Sequence, residues 1–173
     1  MKPIDWLLKG DPEIQVLTNR YLLDRKVTNK NKGYIDRYFS LYDVKKRMWG
    51  NGIYSPKWIS THYTLMELKY MEVDPMNQIY QESLMNLIDH MWYNNGLVTK
   101  TRHQDMCVSA MILNLACYGK LNDPRIFEII DYILKHQFRD GGWNCDWFGP
   151  LWGPGIDQGA GDRDAQHGPS LRS

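Results

Sequence analysis

Residues 136–143 read His136-Gln137-Phe138-Arg139-Asp140-Gly141-Gly142-Trp143. They end a segment whose apolar residues recur at the three- and four-residue spacing of a helix, and two glycines and a tryptophan close the stretch. Glycine tolerates the left-handed backbone that ends many helices. Gly141 and Gly142 therefore predict a helix C-terminus followed by a tight turn.

Two similar stretches precede this one at nearly constant spacing. Residues 90–97 contain Gly96, and residues 46–53 contain Gly52. Each stretch has an aromatic residue or Met, then Asn, Asp or Gly, then Gly and a bulky apolar residue. A period in the mid-forties indicates stacked helical hairpins, because one such hairpin buries its apolar face only against its neighbours.

Asp-Pro pairs support the same period. They occur before three apolar-periodic runs, at Asp11-Pro12, Asp74-Pro75 and Asp123-Pro124. Asp is a favoured N-cap and Pro is favoured at the first helical position, so each pair predicts a helix start. Asp-Pro also begins many helices in proteins without repeats, and this alternative stays open.

Apolar spacing predicts an all-α fold with six helices, over residues 12–24, 34–48, 58–73, 75–91, 106–118 and 124–138. Three of these helices have a predicted inward face, formed by Ile59, Tyr63, Met66, Tyr70 and Val73 in one, by Tyr80, Leu84, Leu87, Ile88 and Met91 in the next, and by Phe127, Ile130, Ile133 and Leu134 in the last. Gln81, Asn86 and Asp89 are expected on the polar face. Residues 106–118 are apolar around nearly the whole circumference, which predicts an inner helix surrounded by others.

The periodic part of the sequence ends near residue 148. We predict a helical-hairpin repeat domain over residues 1–148 and an irregular Gly/Pro-rich tail over residues 149–173, since the tail has no helical period. Three hairpins leave apolar edges uncovered. We therefore expect a homo-oligomer, in which a second copy covers those edges.

Composition excludes several classes of protein. The chain has 173 residues, enough for a core, and its formal net charge of +1 gives no electrostatic reason to expect a nucleic-acid partner. No apolar run is long enough to predict a membrane span, and residues 1–6 do not predict a signal peptide. The cysteines do not follow disulfide spacing, so a cytoplasmic location is expected.

The glycine turns resemble the repeats of the terpenoid cyclase/protein prenyltransferase superfamily, the α/α toroids. Residues 137–143 are similar to the Gln-to-Trp motif of squalene cyclases, and the turns at Gly52 and Gly96 are looser copies. The match, over roughly residues 34–147, is with bacterial prenyltransferase/squalene-cyclase-repeat proteins. It implies an incomplete toroid of about three hairpins, and an isoprenoid or other apolar ligand on a concave aromatic surface lined by His62, Trp58 and Trp143. His62 falls opposite Cys107 when the first two repeats are aligned, and the alternative, which ranks above the cavity position, is a histidine of the core.

The resemblance also implies a metal site. Protein prenyltransferases bind zinc through an Asp-x-Cys pair at the start of an inner helix and a later His; Asp105 and Cys107 match the pair, and His103 precedes it. Carboxylate, thiolate and imidazole are ordinary zinc ligands, and zinc keeps a thiolate ready to attack at neutral pH. The alternative is that Asp105 caps the helix and Cys107 is a small buried residue. Of the later histidines, His136 belongs to the glycine turn and His167 to the tail.

Three functions follow from these patterns. The first is prenyltransferase-like, isoprenoid-related transfer that uses zinc; squalene-type cyclisation is not expected, because the sequence lacks the Asp-x-Asp-Asp run of those cyclases. The second is a non-catalytic or truncated helical-repeat protein that acts as a binding surface or scaffold. The third, a carbohydrate-active α/α barrel, ranks last because it needs paired carboxylates, and the inner helices offer only Glu67 and Asp105.

Overall fold

The computed structural model describes residues 2–28, 33–91, 106–138 and 141–144. Seven α-helices form within these ranges: α1 (Pro3–Leu7), α2 (Pro12–Leu17), α3 (Tyr34–Ser40), α4 (Thr61–Tyr70), α5 (Gln78–Met91), α6 (Met106–Tyr118) and α7 (Arg125–Lys135). A π-helical turn, Thr18–Leu22, continues α2. Within the described ranges no β-strand forms, and one isolated bridge joins Asp43 to Met48. The all-α prediction is confirmed, and the toroid of hairpins stays a prediction.

The chain divides into two compact units. The first comprises Met1–His90 and Leu115–Leu121, and the second comprises Met91–Asn114 and Asn122–Ser173. The predicted boundary between a repeat domain and a tail, at residues 148 and 149, lies outside the described residues.

A buried carboxylate fixes the start of α3 in the first unit. Glu13 of α2 is almost wholly buried, and its Oε1 accepts a hydrogen bond from the backbone N–H of Ile35 at 3.0 Å. This bond satisfies one of the N–H groups that a helix leaves unpaired in its first turn. Gly33 precedes α3 with φ +88°, and a Cβ atom there would lie 2.7 Å from Oε2 of Glu13. The close approach of the carboxylate requires glycine at this position.

The core of the first unit contains the apolar face of α5 as predicted. Tyr80, Leu84, Leu87 and Ile88 are buried, with Leu65 and Leu68 of α4. Full burial of one such side chain stabilises the fold by about 1.5–3 kcal/mol. Asn86 is also buried, which corrects its predicted place on the polar face. Its amide donates a hydrogen bond to the carbonyl oxygen of Arg47 at 2.7 Å, so a loop acceptor satisfies the buried polar group.

The predicted helix over residues 34–48 ends at Ser40 instead. After α3 the chain turns, and the backbones of Asp43 and Met48 pair through hydrogen bonds of 3.0 and 3.4 Å. The Asp43 carboxylate accepts the N–H of Lys46 at 3.0 Å, and such local bonds compete with a helix. The turn brings the rings of Tyr42 and Trp49 to 4.8 Å from each other, and both are buried.

Helix α4 is shorter than predicted and faces a different way. It begins at Thr61 rather than near residue 58, and Ile59 and Tyr70 of the predicted inward face are exposed. The buried residues of α4 are instead Thr61, His62, Thr64, Leu65 and Leu68. The hydroxyl of Thr61 bonds the loop before the helix, so polar residues turn inward where apolar ones were expected.

Helices α6 and α7 expose residues that were predicted to be buried. In α6, Cys107, Ala110, Asn114 and Cys117 are exposed, which corrects the prediction of an inner helix enclosed on all sides. In α7, Ile126 and Ile129 are buried while Phe127 and Leu134 are exposed. This helix has two apolar stripes at helical spacing, so periodicity alone could not decide which of them faces the core.

The Asp-Pro pairs differ in their helical role. Asp11 is at the N-cap position of α2 with Pro12 at the first position, as predicted, although the Asp11 side chain makes no capping hydrogen bond. The second pair lies one turn before α5, where Asn77 instead accepts the N–H of Tyr80 at 3.2 Å. The third pair places Pro124 at the N-cap of α7. Only the first pair therefore has the predicted geometry.

Candidate functional site: an aromatic cluster around His62

The third glycine turn forms within the second unit. Helix α7 ends at Lys135, and the N–H of Gly141 then donates to the carbonyl of Phe138 at 3.0 Å. The N–H of Phe138 donates to the carbonyl of Gly142 at 2.9 Å, and Gly141 has φ +87°. These hydrogen bonds close a turn at the two glycines as predicted, whereas the predicted helix C-terminus at this place is wrong, because α7 ends at Lys135.

The first glycine turn has a related backbone. The N–H of Gly52 donates to the carbonyl of Trp49 at 3.2 Å. Asn51, which aligns with Gly141 in the sequence, also has a positive φ, of +56°. A Cβ atom on Gly52 would lie 1.7 Å from the carbonyl oxygen of Ser55, so the loop closes tightly only around a glycine. The turn at Gly96 lies outside the described residues.

Two histidines at aligned positions make the same contact. Nδ1 of His90 lies 2.8 Å from the carbonyl oxygen of Asn86, and Nδ1 of His136 lies 2.7 Å from that of Tyr132. Both acceptors lie four residues earlier, in the last turns of α5 and α7, and the backbone N–H of His136 donates to the same Tyr132 carbonyl at 3.2 Å. The two histidines therefore have a structural role.

Four side chains next to the first glycine turn form an aromatic cluster, which consists of Tyr54, Trp58, His62 and Tyr63. The ring of His62 lies 5.1 Å from that of Tyr54 and 5.0 Å from that of Tyr63, measured between centroids. The ring of Trp58 lies 5.1 Å from that of Tyr63. These separations are within the range of favourable aromatic contacts, in tilted and edge-to-face arrangements.

Hydrogen bonds to backbone carbonyls join the loop to the first turn of α4 and so position the aromatic cluster. The N–H of His62 donates to the carbonyl of Ile53 at 2.9 Å, and the hydroxyl of Ser60 donates to the carbonyl of Tyr54 at 2.8 Å. The hydroxyl of Thr61 donates to the carbonyl of Gly52 at 2.9 Å. These hydrogen bonds hold the glycine turn against the start of α4. Tyr54 and Trp58 of the aromatic cluster come from the loop, and His62 and Tyr63 come from the helix.

His62 is the polar centre of the aromatic cluster. Its side chain is wholly buried, and neither ring nitrogen has a hydrogen-bond partner among the described residues. Burial lowers the pKa of the imidazole to about 4, so the ring is neutral at pH 7. Leaving a buried donor or acceptor unpaired destabilises a fold by about 1–3 kcal/mol, and such a group calls for an explanation.

The predicted cavity residues divide between the two units. His62 and Trp58 both contact Tyr63, so the structure brings these two together as the sequence suggested. Trp143 belongs to the second unit, where its indole N–H donates to the carbonyl of Ile133 at 2.7 Å. Its predicted place in a ligand cavity stays a prediction. Tyr54 could not be identified from the sequence, because this residue lies in a loop without any periodicity.

The predicted metal ligands lie mostly outside the described residues. His103 and Asp105 precede the described part of α6, and Cys107 is exposed in the first turn of that helix. The alternative of a small buried cysteine is therefore wrong. Within the described ranges no three His, Cys, Asp or Glu side chains are grouped closely enough to hold a metal ion.

Comparison with known proteins adds no relative: no protein-family model, no curated protein and no solved structure matches the chain. None of the helices in the described ranges combines the length and the apolar character that a membrane crossing requires.

Proposed function

We propose that the chain is a prenyltransferase/squalene-cyclase-repeat protein that binds an isoprenoid or another apolar small molecule at the aromatic cluster. The observation that supports this function best is the exposed ring of Trp58 beside a wholly buried, unpartnered histidine. Trp58 is 76% exposed, although it lies next to Tyr63 and one ring away from His62. An exposed indole on a packed aromatic base offers a large apolar contact area.

The chemistry of the aromatic cluster suits an apolar ligand. Ligand sites are lined mainly by apolar and aromatic side chains with a few polar groups that fix orientation, and the four residues have this composition. The ring of His62 is neutral at pH 7, so it does not attract water as a charged group would. Trp58 also has a φ of +73°, a conformation that costs a residue with a Cβ atom about 1–2 kcal/mol.

The binding test compares two exposed tryptophans. Farnesene, a hydrocarbon with three isoprene units, would be titrated into the full chain and its dissociation constant measured by equilibrium dialysis. We expect Trp58→Ala to weaken binding about tenfold, since removing a large ring from a contact loses about 1–2 kcal/mol. Trp6→Ala is the matched control, because Trp6 is 63% exposed on α1, outside the aromatic cluster. Equal losses in the two variants, or no farnesene binding at all, would remove the proposal.

The surface of α7 favours a second candidate function, that of a non-catalytic scaffold. Phe127 and Leu134 are 67% and 60% exposed, and residues seven apart share one helix face. Exposed apolar side chains grouped on one face mark surfaces where proteins associate. Phe127→Ser with Leu134→Ser should abolish association with a partner and leave farnesene binding unchanged, which separates this function from the first.

A further inference from the structure

We infer that the ligand of the aromatic cluster is a neutral isoprenoid alcohol whose hydroxyl group hydrogen-bonds His62. The inference rests on the proposed function and adds the headgroup to it. It follows from the position of the only imidazole in the aromatic cluster, which is enclosed by aromatic rings and has polar atoms that the described residues leave unpaired.

The hydrogen-bonding capacity of His62 defines the headgroup. A neutral imidazole has one N–H donor and one nitrogen that accepts. A hydroxyl group both donates and accepts, so it pairs with either nitrogen, whichever tautomer the ring adopts. A hydrocarbon leaves both nitrogens unpaired. The free energy gained by pairing one of them therefore appears as a preference for the alcohol over the hydrocarbon of the same length.

The same surroundings disfavour an anionic headgroup. A diphosphate needs cationic side chains or a metal ion to replace its water, and its burial without them is strongly unfavourable. The rings that pack on His62 are the phenols of Tyr54 and Tyr63, and the imidazole itself is uncharged at pH 7. The amine of Lys46, at the glycine turn, already donates to Oδ1 of Asn51 at 2.8 Å. The site thus favours the alcohol over the diphosphate, which would carry the same apolar chain.

Access to His62 requires movement of the loop. The imidazole is wholly buried, and the rings of Tyr54 and Trp58 belong to the segment 53–59 that precedes α4. Trp58 is mostly exposed and has a strained backbone, so its displacement breaks few packing contacts. The loop ring that contacts His62 is that of Tyr54, with 5.1 Å between the ring centroids, so a ligand that reaches the histidine from the loop displaces Tyr54 as well.

The test compares three probes with the same carbon chain. Farnesol, farnesene and farnesyl diphosphate would be titrated into the full chain at pH 7. We expect farnesol to bind about tenfold more tightly than either of the others. This is the ratio in dissociation constants expected when one hydrogen bond forms to a buried group that was unpaired. His62→Phe should reduce the farnesol-to-farnesene ratio to about one, whereas His62→Gln, which keeps a donor and an acceptor, should retain the preference. Far-UV circular dichroism would verify that both variants fold.

Each outcome has a separate meaning. Equal binding of farnesol and farnesene to the wild-type chain would overturn the hydroxyl inference and leave the proposed function standing. Tighter binding of farnesyl diphosphate, or an unchanged ratio in folded His62→Phe, would overturn it as well. Failure of all three probes to bind would remove the proposed function itself.

Discussion

At the residue scale, His62 combines full burial with neutral charge, and this combination makes stability depend on pH. Its pKa is about 4 in the folded chain against an ordinary value of 6.5. Between these values the unfolded chain binds a proton that the folded chain does not, so the free energy of unfolding falls as pH falls through the window. Above pH 6.5 His62 is mainly neutral in both the folded and the unfolded chain, so the free energy of unfolding no longer depends on its protonation.

Unfolding by urea at pH 7 and pH 5 measures this effect. We predict a loss of about 2 kcal/mol from His62 alone over that interval. His62→Phe should flatten the pH dependence by this amount. The same pH dependence in the wild-type chain and in His62→Phe would show that His62 does not cause this loss of stability.

Alanine substitutions at two glycines distinguish the cost of a steric overlap, at Gly52, from the cost of a positive φ, at Gly141. Gly52→Ala places a methyl group against the Ser55 carbonyl, with 1.7 Å between the atoms. We predict a destabilisation of about 3 kcal/mol from this overlap. Gly141 has φ +87° but open space, since the nearest atom to a Cβ there is 3.9 Å away, so Gly141→Ala should cost only about 1 kcal/mol. Urea midpoints measure both, and equal losses would contradict the geometry of the first turn.

At the scale of the elements, the sequence predicts those helices whose apolar residues form a single stripe. Helix α5 has one such stripe, and Tyr80, Leu84, Leu87 and Ile88 of that stripe are buried as predicted, although Asn86 is buried beside them. Helix α7 has two, and α4 turns polar residues inward because Thr61 bonds the carbonyl of Gly52. Which face of such a helix is buried depends on the segments that pack against it, and the spacing of apolar residues along the helix does not describe those segments.

The candidate site was partly predictable for the same reason. His62 and Trp58 were identified from the resemblance and the aligned repeats, and both lie in the aromatic cluster. The contact of Tyr54 with His62 depends on the path of a loop closed by Gly52, and no helical or strand period encodes that path.

The start of α6 provides a test of the predicted zinc site. Cys107 is exposed there, and the other two predicted ligands, His103 and Asp105, lie outside the described residues. We predict that the purified chain contains substoichiometric zinc, because the downstream histidine of the prenyltransferase pattern lacks a match in the sequence. Metal analysis by mass spectrometry measures the content. Stoichiometric zinc that is lost in Cys107→Ala would contradict the prediction and support zinc-dependent transfer.

At the scale of the whole molecule, exposed apolar side chains predict self-association. Phe127 and Leu134 form an apolar pair on α7, and a second copy is the commonest partner for such a surface. We predict that light scattering gives a mass above the 20.4 kDa of one chain at micromolar concentration. Phe127→Ser with Leu134→Ser should restore the monomer mass. A wild-type monomer with a cooperative melt would contradict this prediction.

The central claim is that His62 receives a ligand inside the aromatic cluster. Nitrogen NMR of the chain labelled at its five histidines observes this ring directly, and His62→Gln assigns its signals. We predict a neutral imidazole at pH 7 whose nitrogen shifts change when farnesol is added, while the shifts of His136 stay constant. A charged His62 ring at pH 7, or His62 signals that do not respond to saturating farnesol, would contradict the account.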